Sequence, residues 1–186
     1  MKKNVLLLIF VLTFCFSGIF SIFYFEDLRI KTPTPKPAFI KRKVLGDTVK
    51  FDLNGQLTLV HFFNPNCPCS KFNSKHVEEI MRDFKDNLRI IAYTTQKTDK
   101  QYPFPVFDDS KGEVAKKFGV YSTPQAVLLD ANGKVLYSGN YNSNRYCSDE
   151  NSAFVKQAII SSLQNDFTII KQINNKSGLP YGCSIF

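Results

Sequence analysis

The stretch "LTLVHFFNPNCPCSKFNSKHVEEIMRDFKDNLRIIAY", residues 57–93, decides the fold. Its first seven residues are apolar on both faces apart from Thr58 and His61, as in a central buried strand. Asn64-Pro65-Asn66 then breaks the run. From Cys69 on, Phe72, His76, Ile80 and Phe84 recur every four residues, with Val77 and Met81 beside them. That spacing predicts an amphipathic helix ending near Asn87. "LRIIAY" reads as a second strand. Strand, helix and strand at this spacing predict a βαβ unit with a parallel pair.

Working outward, "PVFDD" (105–109) reads as a short extended piece. "SKGEVAKKFG" (110–119) reads as a short helix with Ser110 as N-cap and Gly119 as left-handed C-cap. "QAVLLD", "ANG" and "KVLYSG" (125–139) form a β-hairpin turning at Asn132-Gly133. "SDENSAFVKQAIISSLQ" (148–164) closes the pattern with a helix, with Phe154, Ala158, Ile159 and Leu163 on one face. The expected fold class is α/β, a central mixed sheet flanked by helices.

Between the first strand and its helix stand Cys67, Pro68 and Cys69. Proline fits the first helical position, where its missing N–H costs nothing. Cys67 then becomes the N-cap, facing free backbone N–H groups and the positive end of the helix dipole. Both stabilise a thiolate, and a low-pKa thiolate is the nucleophile of thiol–disulfide exchange. The spacing complicates this. Residues two apart on a helix point away from each other, so a Cys67–Cys69 disulfide needs the first turn to open. Either this pair is a poised oxidant or the resolving thiol lies elsewhere. Cys147 and Cys183 are the remaining candidates. They can bridge each other, or Cys183 can resolve Cys67, or both can stay reduced; spacing alone does not choose.

The 186 residues suffice for one domain plus attachments, and 44% apolar content with 18 Phe suffices for its core. The net charge of +8 is unevenly placed. Residues 26–43 hold Arg29, Lys31, Lys36, Lys41, Arg42 and Lys43 against Glu26 and Asp27. Basicity thus belongs to an attachment, read as facing phospholipid or as a solvated tether, and no nucleic-acid partner is expected. Asn4 to Phe25 carries no charge and is long enough to span a bilayer. It is read as an uncleaved signal anchor, a single transmembrane helix. Cys15 within it is read as a small apolar residue. "KTPTPKP" (31–37) is an extended, semi-rigid segment. The domains expected are therefore an anchor (1–25), a basic stalk (26–43), the α/β domain (44–165) and a cysteine-containing tail (166–186).

The six basic residues after the span and the two before it favour an inside domain. The signal-like start and the thiol chemistry favour the opposite, and the expected location is the inner membrane, single-pass, with the domain facing the periplasm.

The segments "LTLVHFFNPNCPCS" and "AKKFGVYSTPQAVLLDANGKVLYSG", in that order, resemble thioredoxin-fold proteins of the membrane-anchored redoxin group over about residues 44–165. The resemblance implies a cis proline opening the strand that faces the active cysteine, and Thr123-Pro124 occupies that position. It implies a thioredoxin-like fold, thiol–disulfide exchange with redox partner proteins or thiol substrates, and no cofactor. The chain departs from the family motif: Cys-x-x-Cys becomes Cys67-Pro68-Cys69-Ser70. The tail "GLPYGCSIF" is similar to endings of other redoxin-like proteins and suggests a cysteine brought back towards the site. The candidate catalytic residues are Cys67, Cys69, Pro124 and Cys183.

The alternative function is a copper-binding metallochaperone on the same fold, with soft thiolates at Cys67 and Cys69. Sco-type copper proteins resemble this arrangement but use a histidine far downstream, and none follows His76 here. The peroxidatic pattern is missing before Cys67. His61 is read as a buried, satisfied histidine. His76 stands about 10 Å along the helix from Cys69, too far to share a metal. Arg145 and Tyr146 are read as a solvated loop that could steer an anionic partner.

Overall fold

A computed structural model describes residues 2–144, 147 and 149–186; Arg145 and Tyr146 lie outside them. The chain divides into two units, Met1–Thr32 and Pro33–Phe186. The first is one helix, α1 (Lys2–Lys31). Its Lys3–Phe25 stretch is long and apolar enough to cross a membrane, at about 1.5 Å of rise per residue.

The second unit is built on a five-stranded mixed sheet in the order β3-β2-β1-β5-β6. Strands β1 (Thr58–Phe63), β2 (Arg89–Thr94) and β3 (Val106–Asp108) run parallel. Strands β5 (Gln125–Leu129) and β6 (Val135–Gly139) form the antiparallel hairpin, with β5 beside β1. The alternation of β1 and β5 sorts two cores. Leu59, Ala126 and Leu128 meet helices α2 (Pro68–Phe84) and α4 (Phe154–Leu163) through Val77, Ile80, Phe154 and Ile159. Val60, Phe62, Val127 and Leu129 meet α3 (Glu113–Phe118) through Ala115 and Phe118 on the other face. Leu59 has no exposed surface, and truncating such a leucine to alanine costs about 2–5 kcal/mol.

Two local expectations are revised. Helix α3 is capped by Asp109 and not by Ser110: its carboxylate oxygens accept from the N–H groups of Val114 and Ala115 at 3.0 and 2.8 Å. Gly112 takes the left-handed N-cap position, φ 67°. Leu163 is exposed, unlike Phe154, Ala158 and Ile159 on its helix.

Residues 33–43, read as the distal part of a stalk, lie against the domain. The Thr34 N–H donates to the Pro180 carbonyl at 2.8 Å, and the Arg42 guanidinium donates to the Ser138 carbonyl at 2.9 Å. Ile40 is buried. The backbone of residues 41–43 passes so close to Gly119 that a Cβ there would stand 2.4 Å from the Lys41 carbonyl oxygen. The tail is structured too. It contains helix α5 (Phe167–Lys176), capped by Asp166 and packed through Ile170 and Ile173, and a short strand β7 (Cys183–Ser184).

Candidate active site

Helix α2 begins where Pro68 predicts. Cys67 is its N-cap, with extended backbone (φ −78°, ψ 124°), and Pro68 follows as the first helical residue. The loop before it is locked by side chains. Asn64 Oδ1 accepts from the Asn66 N–H at 2.9 Å, and the Cys67 N–H donates to the Asn64 carbonyl at 3.0 Å. Ser70 stands where the family motif has its second cysteine. It is buried, and its hydroxyl oxygen accepts from the Asn64 N–H at 3.2 Å. A thiol position has become a brace for the loop.

Opposite Cys67, the Thr123–Pro124 peptide bond is cis. The Thr123 carbonyl oxygen stands 3.7 Å from Cys67 Sγ. Residues Ser122–Thr123 form strand β4, paired antiparallel with β7 in the register Ser122↔Ser184 and Thr123↔Cys183. This ladder delivers Cys183 to Cys67. The two are joined in a disulfide with Cα atoms 6.1 Å apart, across 116 residues of sequence. Of the pairings left open by the spacing, the structure contains Cys67–Cys183 and not Cys147–Cys183. Cys69 and Cys147 remain outside any disulfide.

The tail backbone passes very close to β4 at Gly182. Gly182 has φ 124°, and a Cβ there would stand 2.1 Å from the Thr123 carbonyl oxygen. Only glycine tolerates both conditions. Thr34 Oγ1 donates to the Gly182 carbonyl at 3.1 Å. Upstream, Asn140 Nδ2 donates to the carbonyls of Ser177 and Leu179, and the Tyr181 hydroxyl donates to the Asn142 carbonyl at 2.8 Å. Downstream, the Ile185 N–H donates to the Tyr121 carbonyl, and Phe186 meets Phe39 edge-on at 5.3 Å.

Cys69 is buried on the same helical face as Asn73, His76, Val77 and Ile80. The Cys147 thiol donates to Asn73 Oδ1 at 3.1 Å. Burial pushes the Cys147 thiol up to about 12, and neighbouring Cys69 adds to the rise. His61 is the satisfied core histidine expected: its Nδ1 is 2.8 Å from the Tyr141 hydroxyl, and its ring stacks on Phe63. Burial pulls its pKa down to about 3. His76 is also shifted down by burial. A cavity of about 380 Å³ opens beside Pro65 and Ser70, walled by His61, Phe63 and Tyr102 with Lys71 and Lys100 at hand. Among the described residues no three His, Cys, Asp or Glu side chains converge as a metal site.

Of the candidates named from sequence, the structure brings Cys67, Pro124 and Cys183 together and leaves Cys69 outside the disulfide; the tail helix and the bracing contact of Ser70 were not read from the sequence. Asp166 before "FTIIKQI" and Gly178 after it were available signals for the helix.

Residues 38–181 match the family described as domain of unknown function DUF6436. The chain is 31% identical over 153 residues to the thiol-disulfide oxidoreductase ResA of Bacillus thuringiensis subsp. konkukian, covering 73% of this chain and 88% of that protein. It is 25% identical over 118 residues to the sporulation thiol-disulfide oxidoreductase A of Bacillus subtilis, covering 56% and 72%. Among solved structures, a hypothetical protein of Sinorhizobium meliloti 1021 superposes with a TM-score of 0.59 at 18% identity, over 78% of this chain and 96% of that one. A putative thiol:disulfide interchange protein DsbE from Chlorobium tepidum gives 0.53 at 20% identity, over 64% and 98%. These two share the fold. The chain belongs to the DUF6436 family and to the thioredoxin-fold thiol–disulfide oxidoreductases.

Proposed function

We propose that the protein is a membrane-anchored thiol–disulfide oxidoreductase whose working couple is Cys67 and Cys183, with its domain on the periplasmic side of the inner membrane. The observation that carries the reading is the Cys67–Cys183 disulfide beside cis-Pro124. In the reducing direction, the Cys67 thiolate attacks one sulfur of a client disulfide. The client's other sulfur leaves as a thiolate and takes a proton from water. The Cys183 thiolate then attacks Cys67 Sγ, the second client sulfur leaves, and the Cys67–Cys183 disulfide remains. Two electrons have passed to the client. The same steps reversed oxidise a client dithiol, and the partner's potential sets the direction.

In this reading Cys183 is the resolving thiol that the Cys67-x-Cys69 spacing lacks. Pro124 turns the β4 backbone towards Cys67, so an extended client can pair there once β7 has moved away. The cavity beside Pro65 has room for a client side chain flanking its cysteine. Anchoring rests on the apolar run Lys3–Phe25, and the periplasmic side on the signal-like start and on thiol–disulfide chemistry, which suits a compartment where thiols are not kept reduced.

The test is reduction of insulin disulfides by the full chain in detergent, with dithiothreitol as electron donor and Cys67→Ser as control. Turnover in the wild type and none in the variant supports the reading. Equal rates in both overturn it.

A further inference from the structure

The thiols of Cys69 and Cys147 are not used by the cycle above, yet both lie beside Asn73 on the buried face of α2. Cys69 is 6% exposed. Asn73 follows it by one helical turn, about 6 Å of rise, and is wholly buried. Its Oδ1 holds the Cys147 thiol at 3.1 Å. Its Nδ2 is a buried donor with no hydrogen-bond partner among the described residues, and such a group is costly unless something needs it. Cys147 is itself held at φ 52°, a left-handed conformation that is strained for a side-chain-bearing residue. It packs against the core containing Val77 and Tyr141. Tyr181, two residues before Cys183, is shifted up first by burial and then by the nearby sulfurs of Cys147 and Cys69.

We propose that Cys69 and Cys147 are a second, inner dithiol that exchanges electrons with the Cys67–Cys183 pair. The inference rests on reading Cys67 and Cys183 as the working couple. Cys69 loses its proton and attacks Cys67 Sγ; the Cys67–Cys183 bond breaks, and Cys183 leaves and takes up that proton. Cys147 loses its proton to water and attacks Cys69 Sγ. The transient Cys67–Cys69 bond breaks, and Cys67 leaves as the thiolate that the helix N-terminus favours. One disulfide has moved from Cys67–Cys183 to Cys69–Cys147, and two electrons have moved outward. The transient bond requires the first turn of α2 to open, including the 3.1 Å bond from the Lys71 N–H to the Cys67 carbonyl. Burial raises the Cys147 thiol and makes it a poor leaving group, so a Cys69–Cys147 disulfide is broken slowly by attack at Cys69. In this proposal the inner pair is the electron donor. It is an electron reservoir that restores the outer dithiol after a client has oxidised it. Asn73 is a positioning residue, fixing Cys147 against the helix that bears Cys69.

The test uses the full chain in detergent, in a Cys15→Ser background, with Cys183→Ser. After reduction it receives one equivalent of 5,5′-dithiobis(2-nitrobenzoate) per Cys67. The expected result is release of two equivalents of thionitrobenzoate. Acid quenching, alkylation and peptide mapping then find a Cys69–Cys147 disulfide and an alkylated Cys67. In Cys147→Ser/Cys183→Ser the reaction stops at Cys67–Cys69 or at the mixed disulfide. A Cys147 that is fully alkylated in the single variant overturns the inner pair. If a variant misfolds, wild type treated with two equivalents of diamide answers the question: both disulfides are expected, and Cys67–Cys183 alone contradicts the proposal. Formation of Cys67–Cys183 there tests the outer couple separately, so the two readings fail independently.

Discussion

Thr123 and Cys183 face each other in antiparallel register, and that single pairing sets the tail's sulfur against Cys67. In the proposed reading the tail lies where an extended client would pair, so the oxidised protein keeps its own client edge occupied. Reduction frees Cys183, and only the short β4–β7 ladder and its anchors then hold the tail.

Gly182 is the residue on which this closure turns. A Cβ there collides with the Thr123 carbonyl, and φ 124° is itself strained for alanine. Strain of about 1–3 kcal/mol makes closing the Cys67–Cys183 disulfide about 5- to 150-fold less favourable. Gly182→Ala is expected to show that loss in a glutathione redox titration, with an unchanged thermal midpoint for the reduced form. An unchanged titration would mean the ladder does not control closure.

Cys183→Ser is expected to accumulate mixed disulfides between Cys67 and partner proteins when cells are quenched with acid, because only the slower internal route through Cys69 remains. Cys147→Ser, with the outer pair intact, is expected not to. Non-reducing gels of both variants check this. Equal accumulation in the two would point instead to a Cys147–Cys183 bridge.

In the reduced chain Cys67 is expected to alkylate fastest, with a rate that levels off well below the free-cysteine pKa of about 8.5, and Cys147 slowest, since burial pushes its thiol up to about 12. Iodoacetamide rates against pH, resolved by peptide, measure both. Cys69 reacting before Cys67 would misplace the helix start.

These thiols also mark how far the sequence could be read. The βαβ unit was legible because a two-faced apolar strand and a four-residue helical stripe are local patterns. Cys67 as N-cap followed from Pro68 alone. The Cys67–Cys183 pairing stood in the sequence only as one of several alternatives, since it depends on β4 and β7 meeting across some 60 residues, and two-residue strands leave no periodicity. Residues 33–43 looked like a stalk because their prolines resemble a tether, while their anchors, Thr34 to Pro180 and Arg42 to Ser138, are long-range bonds. Asp109 outranked Ser110 as the cap because its carboxylate reaches two N–H groups at once.

His61 gives the fold a pH dependence of definite sign. Its folded pKa, about 3, lies below its unfolded value near 6.5. The buried neutral ring therefore contributes stability that is present above about pH 6.5 and is lost as pH falls towards 3. His76, also shifted down, adds with the same sign. The urea midpoint of the wild type is expected to fall between pH 7 and pH 5. His61→Phe with Tyr141→Phe, which removes both partners of the 2.8 Å contact, is expected to fall less. An equal fall in both would remove His61 from the account.

The most direct test of the central claim is a redox titration of the full chain in glutathione buffers, with acid trapping, alkylation and peptide mapping at each potential. The expected result is a reversible two-electron transition in which Cys67 becomes linked to Cys183, at the potential where insulin-reducing activity is half lost. A transition that links Cys67 to Cys69, or Cys147 to Cys183, while activity changes would contradict it.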